Sequence, residues 1–180
     1  MKWIGAAAAV AFVGTVWLAN YAVKEWGIQP VGFGLEAPAG VYFAGLAFTL
    51  RDITHRFLGR RVVIACILLG AALSWLIEAN VNLGGAVSLA VASAIAFLAS
   101  EFADMSVYEP IRQRGWIPAV LASNVMGIVV DSALFLWLAF GSLAFFWGQC
   151  VGKGWMTLAA LPIVFLLRNG VPGRPRPVVN

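Results

Sequence analysis

The stretch Ile117–Phe140, IPAVLASNVMGIVVDSALFLWLAF, decides the fold. It carries a single ionisable side chain, Asp131, in a run long enough to cross a membrane. A helix needs only about 20 mostly apolar residues to span the hydrocarbon core. The rest of the chain repeats the pattern. Of its 180 residues, 62% are hydrophobic and 11% charged, and the mean hydropathy is +0.89. Soluble domains run nearer ~45–50% apolar and ~25% charged. A chain this short cannot bury that much apolar surface against itself. Composition therefore excludes a soluble enzyme, a nucleic-acid binder and a disordered chain.

Five further stretches meet the same criterion: Trp3–Val23, Pro38–Thr54, Val62–Ala79, Gly84–Met105 and Phe145–Leu167. The sequence thus predicts an all-α polytopic membrane protein, six transmembrane helices in one bundle. Arg51 and Asp52 cut into the end of the second span. One transmembrane domain fills residues 1–168, and 169–180, with Pro172, Pro175 and Pro177, reads as a flexible cytoplasmic tail. Lys2 and the alanines after it resemble a signal peptide. The apolar run is longer than the ~7–15 residues of a signal core, and Ala19-Asn20-Tyr21 is a poor cleavage site, so it reads as a span.

The loop charges orient the bundle. With both termini in the cytoplasm, ten of the 12 basic residues fall inside: Lys2, Arg51, Arg56, Arg60, Arg61, Arg112, Arg114, Arg168, Arg174 and Arg176. The outer loops keep Lys24, beside Glu25 and Glu36. The excess of basic residues in cytoplasmic loops supports this topology and explains a net charge of +4 without nucleic acid. Lys153 alone lies within a helix.

Charges inside hydrocarbon cost roughly 2.5–3.5 kcal/mol each on insertion scales, so each is a candidate for function. Glu101 and Asp104 on the fourth span, Asp131 on the fifth and Lys153 on the sixth qualify, with Asn20, Asn124 and Gln149 as uncharged companions. Asn124 and Asp131 are two turns apart on one helical face. Gln149, Lys153 and Thr157 form a stripe at four-residue spacing. Asp131 and Lys153 fall at similar depth, either paired with each other or facing one ligand. Asp104 is also placed to meet Arg112 near the headgroups, and Asp52 to pair with Arg56 one turn on. If the fourth, fifth and sixth helices are neighbours, their polar faces converge on a substrate-binding cavity.

The remaining signals read as structure. Gly148-xxx-Gly152 and the run Ala86, Ala90, Ala94 permit close helix packing. Trp3, Trp26, Trp116 and Trp147 read as interfacial anchors, and Trp17, Trp75, Trp137 and Trp155 as core packing. Cys66 and Cys150 lie in apolar runs and suggest neither a disulfide nor a metal site. His55 reads as a solvated loop residue. No phosphate-binding loop, zinc motif or nucleophile–base pair is visible, so the sequence suggests neither an enzyme nor a cofactor. Binding and translocation of a small molecule is the reading left.

Ser93-Ala94-Ile95-Ala96-Phe97-Leu98-Ala99-Ser100-Glu101-Phe102-Ala103-Asp104, with Val107-Tyr108 and Arg112, resembles the fourth-helix signature of the VUT family of vitamin-uptake-type transporters, also known as queuosine precursor transporters. Ser123-Asn124, Gly127, Asp131-Ser132, Phe135 and Ala139-Phe140 resemble its next helix. Leu50-Arg51-Asp52 with Gly59-Arg60 resembles its first basic cytoplasmic loop, and Lys153 fits its last helix. The likeness spans roughly Val31 to Leu167.

The resemblance implies uptake of 7-cyano-7-deazaguanine, or a related 7-deazapurine, across the cytoplasmic membrane. A deazaguanine offers two parallel donors to a carboxylate, Glu101 or Asp131, and a carbonyl to Lys153, Gln149 or Asn124. The energy source stays open between a proton relayed by Asp131, Glu101 or Asp104 and a separate energising module. In the latter case the chain would be a substrate-binding subunit. A membrane scaffold whose polar pairs only set helix register is the alternative from another class.

Overall fold

The computed structural model describes residues 2–78, 88–111, 113 and 115–167. Among these, six helices follow one another with one small hairpin: α1 (Lys2–Trp26), β1 (Ile28–Gly32), β2 (Leu35–Pro38), α2 (Val41–Leu58), α3 (Arg60–Glu78), α4 (Leu89–Ile111), α5 (Trp116–Phe140) and α6 (Phe146–Leu167). Four segments are long and apolar enough to cross a membrane: Lys2–Trp26, Leu89–Tyr108, Pro118–Phe140 and Phe146–Leu167. The other two helices, α2 and α3, have only 18 and 19 residues and carry charge, Arg51, Asp52 and Arg56 on α2 and Arg60 and Arg61 at the start of α3.

The burial pattern is that of a membrane protein. Large apolar side chains such as Val10, Leu68, Leu76, Phe102, Val125 and Leu166 stand exposed on the outside of the bundle. Charged and amide side chains are buried within it. In water the order would be reversed. In lipid it is expected, because the helices satisfy their own backbone and only the interior can hold a polar side chain. The apolar core is built on Phe12, Val16, Phe48, Val63, Ile67 and Phe97.

Within this mostly helical architecture, the segment between the first two helices folds as a small hairpin. Residues 28–38 pair antiparallel, with Ile28 opposite Pro38, Gln29 opposite Ala37 and Pro30 opposite Glu36. The two-residue turn places Phe33 at φ 56° and Gly34 at φ 72°. Positive φ at both centres is the type I′ geometry that suits strand twist. Gly34 adopts it freely, while Phe33 is strained there. The ring of Phe33 stacks on Trp155 at 5.9 Å, and Trp155 Nε1 donates to the Val31 carbonyl at 3.1 Å. A two-stranded ribbon is marginal alone, and α6 supplies what it lacks.

Close approach through glycine fixes α6 against the hairpin and α2. A Cβ on Gly148 would collide with the Glu36 carbonyl oxygen. One on Gly152 would meet the Val41 side chain at 2.7 Å, and one on Gly45 the Lys153 backbone at 2.8 Å. The Gly148-xxx-Gly152 spacing is thus a packing device, with the hairpin and α2 as its partners.

Other expectations shift. His55 is helical and half-buried, not a loop residue, since α2 runs on to Leu58. Trp75, Trp137 and Trp155 are exposed on the bundle surface rather than packed in the core. Trp3, Trp26 and Trp147 are exposed near helix ends, where anchors belong. Ala79 and residues 84–87 at the edges of two spans, Ala86 of the alanine run, Arg112, Arg114, Arg168, Arg174, Arg176 and the tail 169–180 lie outside the described residues.

Candidate functional site

Antiparallel succession of the helices sorts their polar residues into two groups. Asn20 near the end of α1, Ser93 near the start of α4, Asp131 in the second half of α5 and Gln149 near the start of α6 all lie toward the hairpin. Arg51 late in α2, Glu101 and Asp104 late in α4 and Asn124 early in α5 lie toward the opposite end.

The first group lines a cavity of about 20 Å³, together with Phe97, Phe135 and Lys153. Lys153 is 0% exposed and donates to Asp131 Oδ2 at 2.6 Å and to Ser132 Oγ at 2.9 Å. Of the two arrangements that their similar depth left open, the structure shows the pair. It uses two of the three ammonium hydrogens. One turn away, Gln149 is buried and its Oε1 has no hydrogen-bond partner, and Thr157 Oγ1 is likewise unpartnered. Across the cavity, Asn20 ties three helices: its Nδ2 donates to Ser74 Oγ at 3.0 Å, and its Oδ1 accepts from Ser93 at 2.6 Å.

The second group is organised by Arg51, which composition alone assigns to a cytoplasmic loop. Arg51 is 1% exposed and lies inside the bundle. Its Nη2 donates to Asp52 Oδ1 and Asp104 Oδ1, each at 2.8 Å, and to Asn124 Oδ1 at 3.2 Å. Its Nε donates to Asp52 Oδ1 at 3.1 Å and lies 3.3 Å from Glu101 Oε2, close enough for ion pairing but without hydrogen-bond geometry. The guanidinium also sits over the Phe48 ring, 4.9 Å from its centroid. Asp104 is thus held by Arg51 on α2.

Phenylalanines separate the two groups. Phe97 lines the cavity, its ring lies 5.6 Å from that of Phe48, and Phe12 meets Phe97 edge-on at 6.2 Å. Glu101, Asp104 and Asn124 are absent from the cavity wall. The seven candidate residues therefore form two stations, not one pocket. Arg51, Ser74, Ser93 and Ser132 complete them. A sequence signal for Arg51 existed, because the apolar pattern resumes beyond it with Ile53, Phe57 and Leu58.

A family model described as "Putative vitamin uptake transporter" matches residues 38–167, most of the chain. The chain belongs to this family. No curated protein and no solved structure matches it. As a vitamin uptake transporter family member it is a multi-pass membrane protein of a transport class. The matched segment starts at the last residue of β2 and ends at the last residue of α6. It takes in Arg51, Glu101, Asp104, Asn124, Asp131, Gln149 and Lys153, while Asn20 stands outside it on α1.

Proposed function

We propose that the chain imports a queuosine precursor, 7-cyano-7-deazaguanine or a related 7-deazapurine, through the cavity between α1, α2, α4, α5 and α6. The observation that carries this reading is the buried Lys153–Asp131 pair beside the unpartnered Gln149 Oε1 on one cavity wall. A fully buried ion pair is a poor way to gain stability, since desolvation offsets most of the attraction. Next to a cavity it supplies both halves of a recognition site. Asp131 accepts the parallel N–H donors of the deazaguanine edge, and Lys153 donates to its carbonyl. Gln149 and Asn20 add amide contacts, and Phe97 and Phe135 face the flat ring.

All six helices cross the membrane in this reading, with both termini in the cytoplasm, the hairpin outside and 169–180 as the inner tail. The charged half of α2, unsuited to lipid, turns inward to the Arg51 group. The membrane is the cytoplasmic membrane of the cell. At about 20 Å³ the cavity admits water but no bicyclic base. Import then requires the cavity to widen, and parting α5 from α6 would free Asp131 and Lys153 together.

The test is restoration of queuosine-type tRNA modification in cells that cannot make the precursor, supplied with 7-cyano-7-deazaguanine. The parent restores modification, and Asp131→Asn and Lys153→Met lose it at equal membrane abundance. Activity in both variants would overturn the cavity assignment. Failure of the abundant parent would overturn the cargo.

A further inference from the structure

We propose that the hairpin is a lipid-embedded ribbon: its tip, with Phe33 foremost, lies among the acyl chains of the outer leaflet against α6, and does not stand in water above the bundle. The side of the membrane rests on the six-span reading above, and the cargo plays no part.

Length along α6 is the first argument. The hairpin covers α6 from Gly148, where the Glu36 carbonyl rests on it, past Val151, which packs against Val31, Ala37 and Val41, to Trp155, on which Phe33 stacks. The uncovered remainder of α6, residues 156–167, extends about 18 Å at ~1.5 Å per residue. The apolar run stops there, at Arg168. A hydrocarbon core is about 30 Å thick. A helix that crosses it must use the turns beneath the hairpin as well, and the hairpin lies at their depth. The tryptophans agree. Trp26 at the end of α1 and Trp147 at the start of α6 are exposed where headgroups belong. Trp155 lies two turns deeper on α6, about 12 Å below Trp147.

The ribbon is built for that depth. Lipid offers no partner to a backbone N–H or C=O, so a strand there must find its own. Pro30 and Pro38 carry no N–H. The Pro30 carbonyl accepts from the Tyr42 hydroxyl at 3.3 Å, and the Val31 carbonyl from Trp155 Nε1 at 3.1 Å. The Ala39 N–H donates to the Gly27 carbonyl at 2.8 Å. Side chains follow the same gradient. Glu36, exposed and charged, belongs to the residue that meets Gly148, next to Trp147. The tip, Gly32-Phe33-Gly34-Leu35, carries no polar side chain.

Phe33 decides between lipid and water. Its φ of 56° suits Gly, Asn or Asp at a type I′ turn and is costly for a phenylalanine. Its ring is 80% exposed, so stacking on Trp155 covers only one side of it. In water the other face would gain nothing to offset the strained backbone. Among acyl chains the whole ring is removed from water.

The test uses the full-length protein in liposomes of phosphatidylcholine and phosphatidylglycerol. A nitroxide is attached at Phe33→Cys or Glu36→Cys, and the parent, with Cys66 buried and Cys150 half-buried, sets the background. Oxygen, which concentrates in hydrocarbon, relaxes the label at residue 33 more than a water-soluble nickel chelate does, and at residue 36 the order reverses. A fluorinated phenylalanine placed at residue 33 keeps the ring on Trp155; its fluorine resonance shifts with dissolved oxygen and is not broadened by an aqueous gadolinium chelate. Where nitroxide and fluorine disagree, the fluorine decides, because it leaves the ring in place. Broadening by gadolinium would put the tip in water and overturn the proposal. Access by neither oxygen nor gadolinium would mean that protein covers the tip, a second copy or another chain, and would overturn it too. An impermeant maleimide added to intact cells labels Glu36→Cys. Labelling only in inverted vesicles would refute the topology, while the fluorine result would still decide the lipid contact.

Discussion

Arg51 Nη2 lies 2.8 Å from Asp104 Oδ1, a contact that joins α2 to α4 across 53 residues of sequence, with both side chains buried. It places a cation where a count of loop charges would not look for one. The stability of the bundle then depends on that cation.

Arg51→Leu takes the guanidinium away from the buried Glu101 and Asp104 and from half-buried Asp52. Removing one partner of a buried pair costs about 3–5 kcal/mol. The variant is expected to be strongly destabilised in detergent, read as a large fall in Tm. Arg51→Lys recovers only part of the loss, because an ammonium is a point donor and cannot reach Asp52, Asp104 and Asn124 from one planar group. Equal Tm for Arg51→Lys and the parent would contradict the geometry.

For Lys153 and Asp131 the decisive experiment is a double-mutant cycle. Lys153→Met strands Asp131, and Asp131→Leu strands Lys153, each at about 3–5 kcal/mol. The double variant removes both charges, so its Tm returns toward that of the parent. Uptake does not return with it. Recovery of uptake together with stability would make the pair purely structural.

Gly148→Ala sets a methyl group on the Glu36 carbonyl. The seam between α6 and β2 must part, and overpacking of this kind costs about 1–3 kcal/mol. Gly154, on the same helix, has nothing within 4 Å of its Cβ position. Gly154→Ala therefore leaves Tm unchanged or slightly raised, through better helix propensity. Similar losses in both would show that the close approach is not what limits the fold.

Phe33→Ala removes the ring stacked on Trp155 without touching the strand ladder. Hydrogen exchange in residues 28–38 should quicken while the helices keep their protection. Trp155→Phe, which also loses the bond to the Val31 carbonyl, quickens it further. Unaltered exchange in both would free the hairpin from α6.

Sequence alone was informative where the physics is local. The helices follow from apolar length, and depth along the helix axis sufficed to bring Lys153 level with Asp131. Gly148 and Gly152 declared a packing face before their partner was known. What it missed depends on which helices touch. Arg51 counts as a loop residue until α4 and α5 are packed against α2, because a basic residue near a helix end looks the same whether it points outward or inward. Asn124 and Asp131 share a helical face, yet the Phe97–Phe48 contact divides them between two groups. The hairpin had its turn residues in view, Gly32, Phe33 and Gly34. Its strands are too short to stand without α6, and that support is tertiary.

Gly148 on Glu36, Gly152 on Val41 and Gly45 on the Lys153 backbone together fasten β2, α2 and α6 into one slab. The helices α4 and α5, which pack most extensively on each other, form a second. Both charged stations straddle the line between these slabs: Arg51 reaches from one to Asp104 and Asn124 on the other, and Lys153 to Asp131 and Ser132. They act as two clasps at opposite ends of a single seam. In the import proposed above, unfastening either one would open the molecule toward its own side while the clasp still closed would keep the far side shut.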